Sequence, residues 1–164
     1  MTAATSVFKK YPNPVFVETG THWGDGVQQA LDAGFEEIYS IEISPELHKM
    51  AAHRFRANPN VHLLLADSSM VLDSVIGRIN NQITFWLDSH SPESHPLLAE
   101  LSIIGRHPIK THTILIDDLR LWTVAENGFD TGVLKQIILR INPDYIFTLD
   151  GCADFPNDIL VAYV

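Results

Sequence analysis

Three groups of residues in this 164-residue chain have the types and spacing that chemistry needs. The first is Val15-Phe-Val-Glu18-Thr-Gly20-Thr-His22-Trp-Gly24-Asp-Gly26-Val27, an apolar run closed by a carboxylate and followed at once by a glycine-rich turn. Glycines accept positive φ and let a backbone come close to a ligand. Their spacing is G-x-x-x-G-x-G, not the dinucleotide fingerprint G-x-G-x-x-G. Glu18 would repel a pyrophosphate and attract a ligand with cationic groups, such as the sulfonium and ammonium of S-adenosylmethionine (SAM). The plain alternative is a helix-entry turn that holds no ligand. Thr21, His22 and Trp23 lie inside the turn, where Trp23 is the tryptophan best placed to touch a ligand. Trp86 and Trp122 read as packing residues.

The second group is a series of acidic residues that close later apolar runs. Glu42 follows Ile38-Tyr-Ser-Ile41, about two dozen residues after the turn, where a carboxylate can accept both hydroxyls of a ribose. That role serves SAM or NAD equally. Asp67-Ser68 could bond an adenine amino group or could simply cap the next helix.

The third group is Asp88, Asp117 and Asp118. If the runs they close are adjacent strands, their carboxylates crowd and raise one another's pKa values. A hard divalent cation, Mg²⁺ or else Mn²⁺ or Ca²⁺, would relieve that repulsion. The alternative makes Asp88 a loop anchor and the aspartate pair helix caps. His90 and His95 share the loop after Asp88. His90 is a candidate general base or an ordinary loop histidine. A zinc site at Asp88, His90 and His95 lacks any known ligand spacing.

The elements that must position these groups alternate along the chain. Residues 1–13 read as a short leader with a turn at Tyr11-Pro-Asn-Pro14. Strands are expected at Val15–Glu18, Ile38–Glu42, Val61–Ala66, Ile83–Leu87, Thr113–Ile116, Tyr145–Leu149 and Ile159–Val164. Val61–Ala66 has the continuous apolar character of a strand buried on both faces. Helices are expected over Asp25–Ala33, from Pro45 to near Asn58-Pro59, from Ser68 through an apolar face that includes Ile79, over Leu97–Ile104 and over Val133–Ile141. The last two strands are too close in sequence for a helical crossover, so they form an antiparallel hairpin. The fold class is α/β: a three-layer, Rossmann-like, seven-stranded, mostly parallel sheet with a C-terminal antiparallel hairpin and helices on both faces.

The length suits a single domain over 1–164. A net charge of −9, from 20 acidic against 11 basic residues, with no basic cluster beyond Lys9-Lys10, argues against nucleic-acid or anionic-membrane partners. The single cysteine, Cys152, excludes an internal disulfide and fits a reducing compartment. No apolar run reaches the ~20 residues of a membrane span and none reads as a signal peptide. A soluble, cytoplasmic protein is expected, with a homodimer left open.

The order Glu18-Thr-Gly20-x-x-x-Gly24-x-Gly26, then Glu42, Asp67 and Asp88, with a terminal hairpin, resembles class I SAM-dependent methyltransferases over essentially the whole chain. The pairing of Leu87-Asp88 with Ile116-Asp117-Asp118 resembles the metal-dependent macrocin O-methyltransferase-like group within that superfamily. The resemblance implies SAM contacts from Glu18, Gly20, Glu42 and Asp67, and Mg²⁺ ligation by Asp88, Asp117 and Asp118. It also implies a hydroxyl acceptor on a small molecule, such as a sugar. Asp118 or His90 would take the hydroxyl proton. Two departures stand out: Ser89-His90 follows Asp88 where that group usually has Gly-Asp, and Gly26 stands where a small hydroxyl residue is frequent. The alternative function is a SAM-binding domain of this fold without transferase activity, acting through a partner.

Overall fold

The computed structural model describes residues 5–89, 96–122, 130–151 and 154–164. A parallel strand covered on both faces must be apolar nearly throughout. The strands β1 (Val15–Thr19), β4 (Ile83–Leu87) and β5 (Thr113–Ile116) meet that demand, with every residue buried. With β2 (Glu37–Glu42), β3 (Val61–Leu65), β6 (Ile146–Asp150) and β7 (Ile159–Tyr163) they form one seven-stranded sheet in the order β3-β2-β1-β4-β5-β7-β6. All pairings are parallel except those of β7, which runs antiparallel to both β5 and β6. The order reverses between β1 and β4, so a crevice opens at their carboxyl ends.

Alternate residues feed two cores. Val15, Val17, Phe85 and Ile114 face α4 (Ser68–Ile76), α5 (Leu97–Arg106) and α7 (Thr131–Ile141). Phe16, Ile38, Trp86 and Leu115 face α1 (Thr5–Lys10), α2 (Asp25–Ala33) and α3 (Pro45–Arg54). Ser44 caps α3 by accepting the Leu47 N–H, with Pro45 at the first helical position. Asp67 caps α4 by accepting the Ser69 N–H. Among the described residues no helix is long and apolar enough to cross a membrane.

The strand assignments and the mostly parallel sheet with its antiparallel hairpin agree with the sequence reading, and five elements differ from it. The leader contains α1, whose Val7 and Phe8 are buried against the sheet; Phe8 packs 4.9 Å from Phe16 and 5.2 Å from Trp86, centroid to centroid. A six-residue helix is too short to show a period in sequence. β3 is not buried on both faces, because it ends the sheet and pairs only with β2. The helices α3 and α4 stop at Arg54 and Ile76, although Ile79 still reaches the core. A four-residue turn of helix, α6 (Leu119–Trp122), follows β5 directly.

Candidate functional site

A cavity of about 360 Å³ opens at the carboxyl ends of β1, β2 and β4. It is lined by Glu18, Gly20, Thr21, His22, Trp23, Gly26, Glu42, Asp67, Ser68, Asp88 and Asp118, all nominated from sequence. Gly24 and Asp117 are not in the lining. His90 and His95 lie outside the described residues. Ile43, Leu47, Ser89 and Pro96 also face the cavity and had no sequence signal beyond adjacency to Glu42 and Asp88.

The glycines serve the protein's own packing. Gly20 and Gly24 have φ of 90° and 80°, which L-residues rarely adopt. A Cβ on Gly20 would lie 2.7 Å from the Asp88 carbonyl oxygen, where β1 and β4 end side by side. On Gly24 it would meet the Phe55 ring at 2.6 Å. On Gly26 it would lie 1.8 Å from Glu18 Oε1. A small hydroxyl residue at position 26 would require the Glu18 carboxyl, which occupies that space, to shift.

Glu42 organises the rim. Its Oε2 accepts the His22 N–H at 2.8 Å and its Oε1 accepts the Ser44 N–H at 2.9 Å, so the glycine turn and the start of α3 are fixed to one carboxylate. Each oxygen keeps a lone pair for a ligand hydroxyl. Trp23, about half exposed, stands at the mouth with the His22 ring edge-on to it.

Glu18 is buried at the floor. Ser40 Oγ donates to its Oε2 at 2.5 Å and is itself 2.6 Å from Thr21 Oγ1. Burial pushes the Glu18 carboxyl up to about 8, against the Ser40 hydrogen bond, with the Glu42 charge adding to the rise. Burial likewise pushes Asp88 up to about 9, helped by the charges of Asp117, Asp118 and Glu18. With its pKa near 8 the Glu18 carboxyl holds its proton at neutral pH, and a cationic ligand in the cavity would release it.

Sequence reasoning missed Glu100. Its carboxyl is buried on α5, and its Oε1 accepts from Ser68 Oγ at 2.6 Å and from Ser89 Oγ at 2.7 Å. It thus ties the first turn of α4 to the segment after β4. Burial raises its pKa, opposed by those two serines and by Thr19. The signal was present: Glu100 shares the helix face of Leu97, Leu101 and Ile104, an acidic residue among core positions.

At the end of β5 the ligand atoms of Asp117, Asp118 and Asp158 lie within 4.8 Å of one another. Asp88 is not a member of this group, although its carboxyl feels the charges of Asp117 and Asp118. Burial pushes Asp117 up to about 6. Asp118 has φ of 54°, a left-handed conformation that aspartate tolerates better than most side chains. Arg120 enters the same group: its Nη1 is 2.7 Å from Asp118 Oδ1 and also contacts Asp158 Oδ2. The first contact is an ion pair by distance without hydrogen-bond alignment. Hard carboxylate oxygens suit Mg²⁺, but a guanidinium nitrogen already bridges two of the three carboxylates, so the residues present do not fit a divalent ion as they stand.

The arrangement, a reversal crevice with a glycine turn and strand-end carboxylates in a seven-stranded sheet whose last strand inserts antiparallel, is a Rossmann-like fold. No protein-family model and no curated protein matches the chain. Solved structures do. The methyltransferase PaMTH1 of Podospora anserina, bound to S-adenosylhomocysteine (SAH), is 12% identical with a TM-score of 0.70, covering 97% of this chain and 75% of its own. The O-methyltransferase TomG of Streptomyces achromogenes, in complex with SAM, is 12% identical with a TM-score of 0.67 over 98% of this chain and 77% of its own. An O-methyltransferase of Bacillus cereus in complex with SAH is 14% identical with a TM-score of 0.64 over 98% and 78%. Identities this low establish the fold and leave the activity to be argued from the site.

Proposed function

We propose that the protein binds SAM in this cavity and transfers its methyl group to a hydroxyl of a small molecule, with a sugar as one candidate class. The observation that carries the reading is that one cavity brings a buried carboxyl at its floor, Glu18, whose pKa burial raises, and the half-buried Asp88 together with a rim carboxylate, Glu42, with open lone pairs. That distribution suits a ligand with a cationic end and a ribose. It favours SAM over NAD, because a cationic ligand gains an ion pair by releasing the Glu18 proton and an anionic pyrophosphate does not. Glu42 would hold the ribose hydroxyls, Ile43 and Leu47 offer apolar contact, and Asp67 and Ser68 supply polar atoms at the start of α4. When bound, SAM supplies an electrophilic methyl on sulfur.

The chain's own contribution is then orientation and proton removal. Asp118 reaches the cavity with its charge held by Arg120, so it can accept a hydroxyl proton from an acceptor placed there. Two of the structures of similar fold are O-methyltransferases, which supports a hydroxyl acceptor. Mg²⁺ assistance is not part of this reading, because Arg120 stands between Asp118 and Asp158.

Calorimetry with SAM, SAH and NAD in parallel tests the proposal. SAM and SAH are expected to bind with micromolar dissociation constants, about −8 kcal/mol, and NAD not detectably. Equal binding of NAD, or binding of no adenosyl ligand, would overturn it.

A further inference from the structure

The carboxylates of Asp117, Asp118 and Asp158 crowd together beyond β5, and a cation from the chain's own sequence stands among them. Arg120 sits in α6, two residues after Asp118. Its backbone N–H donates to Asp158 Oδ1 at 2.8 Å, while the preceding Leu119 N–H donates to the Asp158 carbonyl at 2.9 Å. The backbone of α6 is therefore locked to the start of β7 before the side chain is considered. The guanidinium then lies over the Phe155 ring at 4.2 Å and turns a single nitrogen, Nη1, toward both Asp118 Oδ1 and Asp158 Oδ2.

A nitrogen shared by two carboxylates occupies the bridging position that a metal ion would take. Mg²⁺ demands oxygen ligands at ~2.0–2.1 Å and Ca²⁺ at ~2.3–2.6 Å, and neither can coordinate both oxygens while Nη1 contacts them. Asp118 and Asp158 are buried and Arg120 is about one-third exposed at its side chain, so the pair is partly shielded from screening by solvent. Removing the arginine would leave the Asp118 and Asp158 carboxylates facing one another across the space that Nη1 fills.

We propose that Arg120 is the resident cation of the Asp117, Asp118 and Asp158 group, filling the position of a divalent ion so that the protein holds these carboxylates without metal. Arg120 is then a positioning residue for Asp118: it fixes the carboxylate that reaches the cavity. An acceptor that must chelate a metal through two neighbouring oxygens has no ion to bind here. The inference stands on ion-pair geometry and holds whether or not SAM is the ligand of the cavity.

The test uses Mn²⁺, whose bound and free forms are distinguished by electron paramagnetic resonance, and no adenosyl ligand. Chelator-stripped wild-type protein is expected to take up no stoichiometric Mn²⁺ at concentrations approaching millimolar, and its melting midpoint is expected to be the same in chelator as in Mg²⁺. Arg120→Met vacates the bridge and should take up a single Mn²⁺, or recover a lost fold when Mn²⁺ is added; Asp158→Asn in the same chain should abolish the uptake. Arg120→Lys keeps a point charge and should behave as the wild type does. Stoichiometric uptake by wild type that Asp118→Asn removes would overturn the proposal. So would an Arg120→Met protein that melts cooperatively and binds no Mn²⁺. The wild-type titration decides the matter even if the methionine variant does not fold.

Discussion

Replacing Glu18 by glutamine should stabilise the ligand-free protein, and should do so only above mildly acidic pH. The unfolded chain ionises Glu18 near its ordinary value of 4.5, whereas the folded protein holds the proton up to about 8 because the carboxyl is buried. A group whose folded pKa is raised contributes fully below the unfolded pKa, and that contribution is lost as pH rises through the folded value. Over the window from about pH 5 to about pH 7.5 the loss is about 3 kcal/mol. Glutamine is nearly isosteric, can still accept from Ser40 Oγ, and does not titrate. Its amide nitrogen lies where the carboxyl proton of the apo wild type must also find an acceptor, so the cost of that contact largely cancels in the comparison. Urea denaturation of both proteins at the two ends of the window measures the effect: near-equal stability at the acidic end and a gain for Glu18→Gln of about 1–3 kcal/mol at the other. Parallel pH dependences, or a variant less stable at both ends, would refute the burial of an uncompensated carboxyl at the cavity floor.

Glu42→Ala should weaken SAH binding by about 1.5–3 kcal/mol, through lost charge-assisted hydrogen bonds and the release of the His22 and Ser44 N–H groups; calorimetry reads the affinity, and an unchanged value with lowered stability would make Glu42 purely structural. The buried His112 takes the Ile83 N–H on Nδ1 and lies 2.9 Å from His107 Nδ1 through Nε2, so the neutral ring is the form the fold accepts. Burial lowers its pKa from 6.5 to about 4, with the positive charges of His107 and Lys110 adding to the fall. Its contribution is thus present above the unfolded value and lost as pH falls from about 6.5 toward about 4, by up to about 3 kcal/mol. The stability gap between wild type and His112→Asn should narrow across that window in urea denaturation, and a constant gap would refute it.

The strands were legible because burial on both faces forces continuous apolar runs, and Ile83–Leu87 and Thr113–Ile116 stand as the sequence pattern implies. Glycine spacing and Glu42 located the crevice, since a turn and an acidic strand end are local features. What escaped sequence were the partners fixed by tertiary contact. Asp158 meets Arg120 across 38 positions, and Glu100 meets Ser68 across 32; no periodicity records such pairings. The acidic group expected from Asp88, Asp117 and Asp118 shows the limit most plainly, since Asp158 and not Asp88 completes it among the described residues. Strand adjacency was inferred correctly, but Arg120 was invisible as a counter-charge, because its neighbours are set by the return of β7. β3 misled for the opposite reason: an apolar run announces a buried strand, and only sheet order shows that β3 is at an edge.

The insertion of β7 between β5 and β6 sets an order of assembly. During synthesis from the amino end, β5 is made well before the strand that will cover its free edge, and β6 emerges with no neighbour to join. Until residues 159–163 arrive, the growing chain exposes unpaired strand edges of the kind that recruit other chains. The same step closes the circuit between the earliest and latest elements: only when β6 is seated can Lys10 meet Asp150, 140 positions away, and Tyr11 meet Thr148. Nascent chains arrested before β7 should therefore be bound by chaperones or aggregate, and release past residue 163 should convert them in one cooperative step.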